Sequence, residues 1–85
     1  MDKLNYNSIL LDVADIIRRI TGNKNLKIDP CFTANDIKNW DSLRHVMIIN
    51  EIESRYAIQF DLSEMLEMNS VDDICNAVIR KQNLS

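Results

Sequence analysis

The sequence predicts an all-α fold, a four-helix bundle with three longer helices, one short helix and a long first loop. Three observations predict it. The 85 residues include one Gly and one Pro, too few turn residues for a many-stranded sandwich. Hydrophobic content is 46%, and most of it is Ile, Leu, Val and Met. Apolar residues also recur at helical spacing in blocks that open on capping residues. The length suits one domain over residues 1–85, with helices at about 7–20, 42–56, 62–67 and 70–81.

In the first helix, Ile9, Val13, Ile16, Ile17 and Ile20 mark one face, and Asp12, Asp15, Arg18 and Arg19 fall largely on the other. Asn7 or Ser8 is the expected cap, and Gly22 the expected stop. Residues 23–41 are polar and carry Pro30, but Leu26, Ile28, Phe32, Ile37 and Trp40 interrupt the polarity. A loop this long needs such anchors to stay on a small core. A helical turn at 33–38, capped by Thr33, is a candidate within it.

The second helix opens at Ser42 and carries two apolar groups. Ile48, Ile49, Ile52 and Tyr56 form one, and Leu43, Val46 and Met47 belong to the other. Either the helix is buried on two sides or one group is a docking surface. Ile58 and Phe60 alternate with polar residues, so that piece is expected to be extended. The short third helix has Asp61 or Ser63 near its start, with Met65, Leu66 and Met68 as its apolar contribution. Ser70 with Asp73 forms a capping-box pattern before the last helix, whose apolar face is Val71, Ile74, Cys75 and Val78.

The net charge of -3 is uneven. Residues 1–40 balance at +1 and residues 41–85 at -4. An acidic second half argues against nucleic acid as partner, since phosphate binding needs a basic footprint. No apolar run approaches membrane-spanning length, and Met1 to Asn5 form no apolar stretch, so neither membrane insertion nor a signal peptide is expected. Cys31 and Cys75 have no metal or redox spacing. A cytoplasmic protein with reduced thiols is the expected setting.

Catalysis finds little support. His45 is the one histidine, three residues after Ser42 on the same helix, but a Ser-His pair needs an oxyanion hole and an orienting group from elsewhere. One His and two distant Cys cannot close a zinc site, and Asp61, Glu64 and Glu67 lack a calcium-loop pattern. No phosphate-binding glycine motif is present. The remaining chemistry is modification of the Ser42 hydroxyl, exposed at the positive end of a helix dipole, where a phosphodiester would be favoured.

The string Asp41-Ser42-Leu43 after a long loop, followed by Val46, Ile48, Ile49, Ile52 and Glu53, resembles the acyl carrier and peptidyl carrier proteins. Ile58-Gln59-Phe60 and Ser70-Val71 match the same family, and the resemblance runs over about residues 9–78. It implies a four-helix bundle of acyl-carrier type that is not an enzyme. Ser42, flanked by Asp41, would carry 4'-phosphopantetheine, attached by a separate phosphopantetheinyl transferase from coenzyme A. The arm would hold an acyl or aminoacyl group as a thioester. The chain, expected as a monomer, would pass that group from a loading enzyme to downstream biosynthetic enzymes.

By the same resemblance, Leu43, Arg44, Val46 and Met47 would face partners. Ile48, Ile49, Ile52, Phe60, Met65, Met68, Ile74 and Val78 would form the core, which in some family members takes in an acyl chain. Arg44 and Arg55 depart from the strongly acidic helix of many fatty-acid carriers. The form Trp40-Asp41-Ser42-Leu43-Arg44-His45 is closer to discrete carriers of polyketide, nonribosomal peptide or related pathways. The alternative is a helical adaptor that binds through Leu43, Val46 and Met47, with Ser42 an unmodified helix N-cap. A third reading, a small hydrolase using Ser42 and His45, predicts turnover of an activated ester by the unmodified protein.

Overall fold

In the computed structural model, which describes residues 5–84, the chain is helical: α1 Tyr6–Thr21, α2 Ser42–Tyr56, α3 Leu62–Glu67 and α4 Val71–Leu84. Residues 1–4, where the sequence predicts no signal peptide, lie outside the described residues. Among the described residues there is no strand; Thr33 and Ser70 form an isolated antiparallel bridge. No described helix is long and apolar enough to cross a membrane.

The cap of α1 is Asn5, not Asn7 or Ser8. Its side chain accepts from the Ser8 N–H at 2.8 Å, so the helix starts a residue earlier than its apolar pattern alone indicates. Ile9, Val13, Ala14, Ile16 and Ile17 form the buried face. At the other end Gly22 adopts φ +78, and the N–H groups of Gly22 and Asn23 both donate to the Arg18 carbonyl. Glycine enters this left-handed conformation without a Cβ penalty.

The long connection is held at several points. Ile28, Ile37 and Trp40 are buried, and Leu26 and Phe32 pack against the core. The Pro30 and Phe32 carbonyls accept from the N–H groups of Asp72 and Val71, each at 2.9 Å, and so satisfy the first turn of α4. Residues 33–38 form hydrogen-bonded turns rather than a helix. The Asp36 carboxylate takes the Thr33 N–H at 2.9 Å and its hydroxyl at 3.2 Å, while the Thr33 hydroxyl oxygen accepts from the Asn35 N–H at 3.2 Å, so Thr33 and Asp36 hold the turn together.

α1 packs against both α2 and α4. Ile48, Ile49 and Ile52 of α2 and Ile74 and Val78 of α4 are fully buried, each side chain worth about 1.5–3 kcal/mol of burial. Polar staples flank this core. The Tyr6 hydroxyl on α1 donates to Asp72 of α4 at 2.5 Å. The Tyr56 hydroxyl at the end of α2 donates to Asp12 of α1 at 2.6 Å, and Arg55 reaches the other oxygen of that carboxylate at 3.2 Å. Both phenols are held above their ordinary range, by burial first and then by the hydrogen bond to the carboxylate.

After α2, Ile58 and Phe60 turn inward while Gln59 and Asp61 stay exposed, and the Phe60 N–H donates to Glu53 at 2.8 Å. Asp61 and Glu64 close a capping box on α3, with Asp61 rather than Ser63 as the cap. α3 contains no buried residue. It is tied to α4 by Lys81 and Glu64 at 2.9 Å. Ser70 and Asp73 exchange hydrogen bonds at 3.1 and 3.2 Å, so Ser70 caps α4 and the helix begins at Val71. It runs to Leu84, three residues past the expected end at 81.

Candidate functional site

The loop reaches α2 through Asn39, at φ +72, and Trp40, whose ring is buried. Asp41 is then the N-cap of α2. Its carboxylate accepts from the Arg44 N–H at 2.9 Å and pairs with the Arg44 guanidinium at 2.9 Å. The backbone hydrogen bond from Arg44, followed by the Arg44 charge, holds the Asp41 carboxyl below its ordinary range. Ser42 is consequently the first helical residue and not the cap, which corrects the alternative that made it one. Its side chain is exposed, and among the described residues its hydroxyl has no hydrogen-bond partner.

Beside Ser42 lies a solvent-open groove of about 430 Å³. Ala34 and Trp40 of the loop line one side, with Asp41, His45 and Val46 beside the serine. Leu62, Met65 and Leu66 of α3 also line the groove, as do Met68 and Asn69 after that helix. The volume is within the range of small-molecule pockets, about 300–1,000 Å³.

His45 spans the groove. The Trp40 indole N–H donates to its Nδ1 at 3.1 Å, and its Nε2 meets the Met65 carbonyl at 3.3 Å. An indole N–H can only donate, so Nδ1 accepts and the ring proton sits on Nε2, facing the carbonyl. Both nitrogens are engaged away from Ser42. That removes the general base the hydrolase reading requires, although three residues along a helix makes the two side chains neighbours.

The other candidate residues divide cleanly. Leu43 is 69% exposed, Val46 45% and Met47 46%, so this group of α2 does not pack in the core. Arg44 is half-buried and engaged with Asp41. Ile48, Ile49, Ile52, Phe60, Met68, Ile74 and Val78 are buried. Met65 is only half-buried, because a six-residue helix lying on the surface turns one side of it to the groove. Of the expected pocket residues, Met65 and Met68 line the groove, and the others lie in the core. Sequence reasoning missed Leu62, Leu66, Ala34 and Asn69 as lining residues. Leu62 and Leu66 are 68% and 71% exposed, and their spacing on so short a helix was the available signal. No group of His, Cys, Asp and Glu among the described residues could hold a metal ion.

No protein-family model matches the chain, and no curated protein matches it. A solved structure does. The solution structure of the holo acyl carrier protein from Geobacter metallireducens superimposes with a TM-score of 0.80 at 30% sequence identity. The match covers 89% of this chain and 87% of that one. That extent takes in the four helices and the long first loop together, and the fold they share is a carrier's, not itself catalytic. On the strength of that likeness in sequence and in architecture, the chain belongs to the acyl carrier protein family.

Proposed function

We propose that the chain carries an acyl or related group as a thioester on a 4'-phosphopantetheine arm attached to Ser42. The observation that carries this reading is the state of Ser42: exposed, unpartnered among the described residues, and relieved of capping duty by Asp41. A hydroxyl in that position can be reached by a transferase and given up without loosening α2. Its site suits the arm, since it opens α2, whose dipole favours an anionic phosphodiester, and borders the groove. When attached, the arm supplies the terminal thiol that bears the cargo. Tethering raises the effective concentration of that cargo at each partner enzyme.

In this reading the partners are a phosphopantetheinyl transferase, a loading enzyme and downstream enzymes of polyketide, nonribosomal peptide or fatty-acid-like biosynthesis, working in the cytoplasm. The exposed Leu43, Val46 and Met47 support an apolar contact with them. Arg44 offsets the charge of Asp41 next to Ser42, which favours partners of specialised pathways over enzymes with very basic docking patches. The unpaired Cys31 and Cys75 agree with a reducing setting. The reading is tested by incubating the chain with a broad-specificity transferase and coenzyme A and mapping the added group. It should appear on the peptide containing Ser42; modification elsewhere, or none, would overturn it.

A further inference from the structure

We infer that Trp40, His45 and Met65 form a closed gate between the groove beside Ser42 and the core, and that this chain therefore carries short acyl groups and leaves longer chains outside. The inference rests on attachment at Ser42.

Two residues belong at once to the groove and to the core. Trp40 and Met68, each 5% exposed, line the groove and pack in the core cluster. They form the partition. Ile48, Ile49, Ile52, Ile74 and Val78, each 0% exposed, belong to the core, and none of them lines the groove. An acyl chain that starts at Ser42 and seeks the core has to pass this partition.

The partition is fastened. Trp40 donates its indole N–H to His45 at 3.1 Å and stacks on it, with ring centroids 5.9 Å apart and planes 26° from parallel. His45 in turn holds the carbonyl of Met65, 20 residues further along the chain, at 3.3 Å, and so joins α2 to α3. Parting α3 from α2 would strip the half-buried His45 Nε2–H of its acceptor, the Met65 carbonyl, and an apolar chain offers neither group a replacement. A long alkyl chain brings apolar area and no acceptor, so it cannot compensate the bond it breaks. A short group needs no such opening, because the groove itself can seat it.

The experiment loads the full chain with acetyl or octanoyl groups by enzymatic transfer from the corresponding acyl-coenzyme A, and intact mass confirms the loading. The thermal midpoints of the two forms are then compared, together with the methyl resonances of Ile74 and Val78. Burial of two methylenes alone would lift a domain of this size by more than about 4 °C. The expected difference between octanoyl and acetyl forms is smaller than that, with the Ile74 and Val78 methyls unmoved. In His45→Ala, the octanoyl form should gain about 4 °C or more over the acetyl form. An octanoyl wild type that gains as much, or that shifts those methyls, overturns the gate while leaving attachment standing. Equal midpoints for both forms of a folded His45→Ala would overturn the role of His45. If that variant does not fold, the wild-type comparison decides alone. Failure to load either group removes the attachment reading and the inference with it.

Discussion

The indole N–H of Trp40 donates to Nδ1 of His45 at 3.1 Å, and the two rings stack. This pair fastens the end of the long loop to the first turns of α2, and through the Met65 carbonyl to α3. Replacing His45 by Ala should leave the buried Trp40 donor unpaired and cost about 1–3 kcal/mol. Urea unfolding followed by tryptophan fluorescence measures it directly, since Trp40 is the sole tryptophan. A loss well below that range would mean that water replaces the ring at no cost.

Asp41 and Ser42 are neighbours with opposite duties, and two alanine variants separate them. Asp41→Ala removes the side chain that accepts the Arg44 N–H and should destabilise by about 0.5–2 kcal/mol. Ser42→Ala removes an exposed, unpartnered hydroxyl and should stay within about 0.5 kcal/mol of wild type. Were Ser42 the cap, the two results would be exchanged.

The two groups of α2 make a second contrast between adjacent positions. Ile48 is fully buried, and Ile48→Ala should cost about 2–5 kcal/mol. Met47 is 46% exposed, and Met47→Ala should change stability by no more than about 0.5 kcal/mol. Chemical denaturation of both variants checks the difference. If Met47 faces partners, its truncation should instead slow delivery of cargo to them.

Stability should fall at both ends of the pH scale, for different groups. The Asp41, Asp61 and Glu64 carboxyls are depressed, chiefly by backbone N–H donors at the helix starts. Their contribution is complete above the unfolded carboxylate values near about 4 and is lost as pH falls through the lower folded values. Tyr6 and Tyr56 are raised, and burial pushes the Cys75 thiol up to about 12. Their contribution is complete below the unfolded values, about 8.5 for Cys and about 10 for Tyr, and is lost as pH rises through the folded ones. Tyr6→Phe with Tyr56→Phe should flatten the alkaline limb and leave the acid limb unchanged. Thermal midpoints between pH 2 and 11 would show both, and an unchanged alkaline slope would contradict the assignment.

Much of the fold was legible because each apolar block carries its own period. Ile9, Val13, Ile16 and Ile17 announce a buried stripe, and Ser70 with Asp73 announces a helix start, before any tertiary contact is known. The five apolar loop residues were legible as anchors for the same reason: a polar loop has no other use for them. The cap of α1 was misread because Asn5, Asn7 and Ser8 are all capable, and only the backbone angles decide among them. Serine suits a cap position, which makes Ser42 a candidate on sequence, but Asp41, one residue earlier, occupies it. The groove was legible only in Met65 and Met68. His45 touches Trp40 and Met65 only once α3 folds back across α2, and no local pattern encodes that meeting. Leu66 reads as part of the apolar contribution of the short helix, yet a helix of six residues has too little length to bury it.

The central claim is that Ser42 acts by being modified. Intact mass after incubation with coenzyme A and a broad-specificity phosphopantetheinyl transferase tests it most directly, on wild type and Ser42→Ala side by side. Wild type should gain the mass of a single phosphopantetheine group, and Ser42→Ala, folded and equally stable, should gain none. An unmodified wild type, or the same gain on Ser42→Ala, would contradict the claim.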